Sequence, residues 1–271
     1  MFSAFACGCP TWDILQHTMS PSEATTPSLV DTRPKPSAPV VMYQAWKDLL
    51  FLHWEVPPAD IQRSLPPGLA VDTFGGAAWI GLVPFLMCDV RPRFCPTVPG
   101  LSSFLELNVR TYVRDSAGNS GVWFYSLDCN QPIAVAIARG LFHLPYFRAR
   151  MRAQAGPASE MIYYDCRRDG AASSSHYEYR AMGPTSRAVA GSLEEFLVER
   201  YRLFSFRNGT LYSGEVWHEP YTFAGAEVPQ WCTKPLRQAG FGHITMPPDH
   251  AIFSTGVDVS IFPLRRAGGT L

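Results

Sequence analysis

Between Gly121 and Met151 (G-V-W-F-Y-S-L-D-C-N-Q-P-I-A-V-A-I-A-R-G-L-F-H-L-P-Y-F-R-A-R-M) the chain passes from strand chemistry to helix chemistry within a few residues. Val122 to Leu127 is apolar, aromatic and β-branched, the composition of a buried strand. Asp128 and Asn130 can accept from free N–H groups at a helix start, and Pro132 suits the first helical position, where its missing N–H has no partner to lose. Ile133 to Leu141 is apolar on most sides, which predicts a short buried helix ended by Pro145. A strand feeding a buried helix through a tight turn is rigid. The residues after it, His143, Leu144, Pro145, Tyr146, Phe147 and Arg148, are then held in place.

Short strands dominate the rest. Leu49 to Val56 is a strand ended by Pro57-Pro58, a brief helix follows to Leu65, and Leu69 to Phe74 meets Ala77 to Met87 across Gly75-Gly76. Pro84 within that return strand marks a bulge or an edge. Arg91 to Pro99 is a proline-rich loop suited to a pocket mouth. Phe104 to Arg114 alternates, with Leu105, Leu107, Val109 and Val113 on one face and Glu106, Asn108, Arg110 and Tyr112 on the other. Hairpins are expected around Asp169-Gly170 and Asn208-Gly209. A helix capped by Ser192, with Glu195 completing a capping box, should run from Leu193 to Tyr201. Phe223 to Ala239 reads as loop and short helix, and Ala251 to Phe262 as a closing strand.

This pattern is α+β: a mainly antiparallel barrel or cone with two or three packed helices. Residues 1–40 hold six prolines among many Ser and Thr, and read as a disordered tail or an over-extended gene start. Residues 41–271 form one domain.

Lys+Arg and Asp+Glu are 23 each, so no charge excess favours nucleic acid or an anionic membrane. No window reaches the ~20 apolar residues of a membrane span. Seven cysteines at 7, 9, 88, 95, 129, 166 and 232, without a C-x-x-C pair, read as free thiols in a reducing cytoplasm. No histidine pair has metal-ligand spacing, and no phosphate-binding or nucleophile-elbow motif occurs, so neither metal nor cofactor is expected. The oligomeric state, including a homo-oligomer, stays open.

Four phrases carry a resemblance: Leu65 to Phe85, Pro99 to Val113, Gly121 to Asp128 and Leu193 to Phe204. On these the chain is identified as a member of the YqjF-like family of uncharacterised proteins. It is also similar to acetoacetate decarboxylase along the strand-turn-helix above. That resemblance implies a β-cone with a polar interior. It also implies that Tyr146 stands where the decarboxylase has its imine-forming lysine, and Phe147 where it has a second lysine. Gly81 falls where the family has a carboxylate, Lys47 falls near its arginine, and Glu106 matches an acidic site residue. Schiff-base decarboxylation is therefore not expected.

The site rests on the face of Glu106, Asn108 and Arg110. It is either a solvated stripe or the cone interior; if interior, Glu106 and Arg110 must pair with each other or with an acidic ligand. His143, His53, His218 and Lys47 are further ligand-binding candidates, and Cys129 at the turn is a weak nucleophile candidate. The expected function is binding of a small anionic metabolite. The alternatives are an enzyme acting on a keto or enol acid, with Glu106 as acid/base and Tyr146 as hydrogen-bond donor, and a ligand-free scaffold.

Overall fold

The structure, a computed structural model, describes residues 28–156 and 160–267. The first long strand is β1 (Met42–Val56), buried continuously from Leu49 to Trp54, which Pro57 stops and α1 (Pro58–Gln62) follows. β2 (Leu69–Val71) and β3 (Ala78–Pro92) flank the Gly75-Gly76 turn, where Phe74 pairs with Ala77. β4 (Phe104–Asp115) and β5 (Ser120–Cys129) form a hairpin, and β5 leads into α2 (Pro132–Ile137). A π-helical turn over Ala138–Phe142 then carries the chain to β6 (Tyr146–Ala155). β7 (Ile162–Arg168) and β8 (Ser175–Ser186) precede α3 (Leu193–Val198), whose Ser192 hydroxyl accepts from Glu195 N at 3.2 Å. β9 (Arg202–Arg207) and β10 (Thr210–Trp217) meet at Asn208-Gly209, both at positive φ as a two-residue hairpin of this kind needs. β11 (Phe223–Gln230), α4 (Lys234–Gln238), β12 (His250–Ile261) and β13 (Arg265–Arg266) follow.

All thirteen strands join one sheet, in the order β13-β10-β9-β5-β6-β7-β8-β11-β12-β1-β3-β4-β2, and β4 pairs again with β5. Pairing is antiparallel except where β5 meets β6 and β9. The β1–β3 register slips between Lys47 and Leu52, the interval facing Pro84, so the expected bulge is present there. β4 is buried on both faces. Leu105, Leu107 and Val109 pack with Leu50 and Leu52, while Phe104 and Tyr112 belong to an opposite cluster with Phe51 and Phe85.

Several expectations need correction. α2 exists but is not buried: Ile133 is 52% exposed and only Val135 is enclosed. Its cap is Gln131, because Asp128 is taken by Arg168 and Asn130 by the Leu105 N–H. α3 stops at Val198, and Glu195 reaches back to Gly191 N rather than to Ser192 N. β6 and β11 are full strands, and the described residues hold four short α-helices. The tail does not extend to Val40. Leu29 bridges Val189, Val30 is 8% exposed, and Trp217 Nε1 donates to the Arg33 carbonyl at 2.8 Å. The rest of the expected tail, residues 1–27, lies outside the described residues. Deleting residues 1–40 should therefore cost roughly 2–4 kcal/mol, from one buried valine and its backbone and indole hydrogen bonds. Urea unfolding checks this, and an unchanged midpoint would refute the docking.

Candidate functional site

The alternation of β4 puts Glu106, Asn108 and Arg110 on one face, and that face is interior. Their exposures are 2%, 5% and 8%. All three line a cavity of about 790 Å³, together with Tyr146 from β6 and His218 from the end of β10. The solvated-stripe alternative is thereby excluded. Parallel pairing of Leu127 with Tyr146 sets β6 beside β5, and β5 pairs with β4, so Tyr146 comes over Glu106.

Tyr146 donates its hydroxyl hydrogen to Glu106 Oε2 at 2.6 Å. Burial pushes the Glu106 carboxyl up to about 7; the hydrogen bonds from Tyr146 and Asn108 pull it back, and the Asp128 charge adds to the rise. Burial also holds the Tyr146 phenol well above its ordinary value, with the Glu106 charge acting the same way. Tyr146 is thus a fixed donor, and Glu106 exchanges a proton near neutrality.

Of the two partners expected for Arg110, Glu106 or an acidic ligand, Glu106 is not used. Arg110 makes no salt bridge with Glu106; its Nη2 donates to the Leu197 carbonyl at 3.2 Å, at the C-terminal end of α3. Its guanidinium carbon lies 5.3 Å from the Phe51 ring centre, and its buried Nε has no partner among the described residues. Glu106 and Arg110 stand four residues apart on an extended strand, about 13 Å, and each turns to a nearer partner. Arg200 lines the same cavity but is neutralised by Asp72 at 2.8 Å.

His218 stacks on Tyr201 with centroids 4.6 Å apart, and donates Nδ1–H to the Glu219 carbonyl at 2.8 Å. Burial lowers its pKa to about 4, so the ring is neutral and its Nε2 carries no hydrogen.

The other sequence candidates lie elsewhere. His53 is fully buried outside the cavity, its Nδ1 3.0 Å from His250 Nδ1. His143 is a left-handed residue after the π turn, bonded to Arg207 at 2.9 Å beside a separate cleft. Lys47 is exposed. Lys234 bonds Ser173 Oγ at 2.6 Å, and no lysine lines the cavity. Cys129 is no thiolate, since burial raises its pKa to about 12. The aromatic walls Trp46 and Tyr221 were not singled out from sequence. Trp46 falls on the same face of β1 as Gln44, and that alternation was the available signal. Among the described residues no three His, Cys, Asp or Glu side chains are placed to hold a metal ion. No helix there is long and apolar enough to cross a membrane.

A mostly antiparallel sheet with a few short helices is a fold this chain shares with solved acetoacetate-decarboxylase-like proteins. An acetoacetate decarboxylase-like enzyme from Sphingomonas wittichii RW1 is similar, with TM-score 0.59, 14% identity, and 94% of this chain and 98% of that one covered. So is the enduracididine biosynthesis enzyme MppR complexed with pyruvate, with TM-score 0.57, 13% identity, and 88% and 98% covered. The chain belongs to the DUF2071 family of uncharacterized conserved proteins, which matches residues 43–258. Within reach of sequence comparison is the uncharacterized protein YqjF of Bacillus subtilis, 35% identical over 228 residues, 83% of this chain and 92% of that protein.

Proposed function

We propose that this protein binds a small organic anion in the cavity, at the centre of a β-cone closed by the β4–β5 pairing. The observation that carries this reading is Arg110: a guanidinium 8% exposed, facing the cavity, with a backbone carbonyl as its hydrogen-bond acceptor. A buried cation without a counter-ion is costly, and an anionic ligand supplies one through charge-assisted hydrogen bonds. Asn108, whose buried Oδ1 is also unpartnered, and the neutral His218 add polar contacts. Tyr146 in place of an amine excludes imine chemistry from this reading. Free thiols at Cys88, Cys95, Cys129, Cys166 and Cys232 support a cytoplasmic setting.

Glu106 favours a second reading. A carboxyl with a pKa of about 7, hydrogen-bonded to Tyr146 at 2.6 Å, is suited to move a proton on a keto or enol acid. The ligand-free scaffold leaves the Arg110 charge without purpose.

The test is calorimetric titration of pyruvate, acetoacetate and longer carboxylates against the parent and Arg110→Leu. The variant should fold at least as stably as the parent, because no carboxylate loses its partner. It should weaken anion binding at least thirtyfold, from ~2 kcal/mol or more of charge-assisted bonding. Undiminished binding in Arg110→Leu would sink the proposal.

A further inference from the structure

The cavity is divided unequally. Asn108, Arg110 and His218 in its depth, and Glu106 on the wall between them and the opening, are each less than a tenth exposed. Val98, Leu101, Ile133, Ile137 and Leu141 line the same cavity and are 41% to 67% exposed. Those five belong to only eleven exposed large hydrophobic side chains among the described residues, so apolar exposure concentrates at one opening. Ile133, Ile137 and Leu141 recur every four residues, making one stripe along α2 and the π turn. Exposed apolar side chains gathered at a cavity mouth mark a surface that something covers.

The depth between mouth and floor is considerable. Leu101 precedes β4, so Phe104 marks the mouth end of the strand, and Arg110 lies six residues further in, about 20 Å. The walls between, including Leu49, Val83, Phe85, Met87 and Leu127, are apolar and buried. A volume of about 790 Å³ lies in the upper part of the range for small-molecule sites. A three- or four-carbon acid, with its charge at Arg110, leaves most of that apolar wall uncovered.

We infer that the ligand is amphipathic: a carboxylate held at Arg110, followed by an extended apolar tail that runs past Glu106 and Tyr146 and reaches the Leu101–Ile137–Leu141 mouth. This rests on the anion-binding reading above and adds the ligand's chemical class and orientation. It accounts for two features that a short acid does not explain, the apolar depth and the exposed stripe.

The test is calorimetry with butanoate, hexanoate, octanoate and decanoate, below micellar concentrations, with 1-alkanols of equal length as uncharged controls. Affinity should rise about fourfold per added methylene while the tail is being buried. Ile137→Glu and Leu141→Glu, both at exposed positions, should weaken decanoate roughly tenfold and leave butanoate unchanged. Arg110→Leu should weaken every acid by the same factor. Equal affinity for butanoate and decanoate overturns the amphipathic ligand and leaves the anion site standing. A chain-length dependence that ignores both mouth substitutions overturns the orientation. Alkanols bound as tightly as the acids, or no acid bound at any length, overturn the anion-binding reading and this inference with it.

Discussion

Glu106→Gln should stabilise the protein at pH 8 by about 3 kcal/mol, and the gain should vanish as the pH falls toward 4.5. The Glu106 carboxyl has a pKa of about 7 in the folded protein, against 4.5 as its ordinary value, with burial as the main cause. Between those two values the folded protein keeps a proton on Glu106 that the unfolded chain has released. Stability from this group therefore falls as pH rises through the window, and the penalty is constant above it. Glutamine keeps the side-chain oxygen that accepts from Tyr146 and removes the charge. His218, with its pKa lowered to about 4, works in the opposite sense from there up to 6.5. The variant must therefore be compared with its parent at each pH, where the histidine contribution cancels. Urea midpoints measured from pH 5 to 8 check this, and a difference independent of pH would show that Glu106 does not hold its proton near neutrality.

The strand that carries Glu106 was legible in the sequence because its period of two is strict from Phe104 to Val113. Alternation defines two faces without saying which is inside, and in β4 both are, since a hydrophobic cluster packs on one side and the cavity lies on the other. The resemblance implied a polar interior but left the solvated stripe open, and only the burial of Glu106, Asn108 and Arg110 decides between them. Of the two partners open to Arg110, Glu106 is not the one used: Glu106 is engaged by Tyr146, and the Arg110 guanidinium turns to the Leu197 carbonyl. Tyr146, forty residues from Glu106, comes there through the parallel β5–β6 pairing.

The other departures from the sequence pattern have separate physical causes. α2 is apolar nearly all round, which ordinarily places a helix in a core. Here part of that surface faces a cavity, and Ile133, Ile137 and Leu141 remain exposed at its mouth. β6 alternates Ala149, Met151 and Ala153 with Arg148, Arg150 and Arg152, a strand signal separated from the π turn by only three residues and so merged with the helical segment in the sequence. β11 contains Gly225 and Pro229, residues that weaken a strand assignment, and its pairing with β8 and β12 is non-local. The hairpins at Asp169-Gly170 and Asn208-Gly209 were readable because turn chemistry is local; at Gly75-Gly76 the turn is present, closed by the Phe74–Ala77 bridge, but β2 pairs with β4 rather than with β3.

Arg168→Met should destabilise the protein by about 3–5 kcal/mol at pH 7.5, the usual cost of stranding one member of a buried ion pair. Arg168 Nε donates to Asp128 Oδ1 at 2.7 Å; the Asp128 side chain is 1% exposed and that of Arg168 12%. The pair joins β5 to β7 across β6, and the Arg168 guanidinium lies 4.1 Å from the centre of the Phe147 ring. Phe147 is the residue after Tyr146, so the bridge holds the segment that presents the phenol to Glu106. Without the guanidinium, Asp128 must remain a buried unpaired anion or take up a proton. Burial already raises its pKa, and the Arg168 charge is the chief influence lowering it. The loss should therefore shrink as pH falls, because a protonated Asp128 needs no cation. Adding Asp128→Asn to Arg168→Met should recover most of the stability at pH 7.5, since the stranded charge is gone. Urea unfolding of both variants at pH 5 and 7.5 decides it: a double variant as unstable as the single one would mean that packing against Phe147, not the Asp128 charge, is what Arg168 supplies.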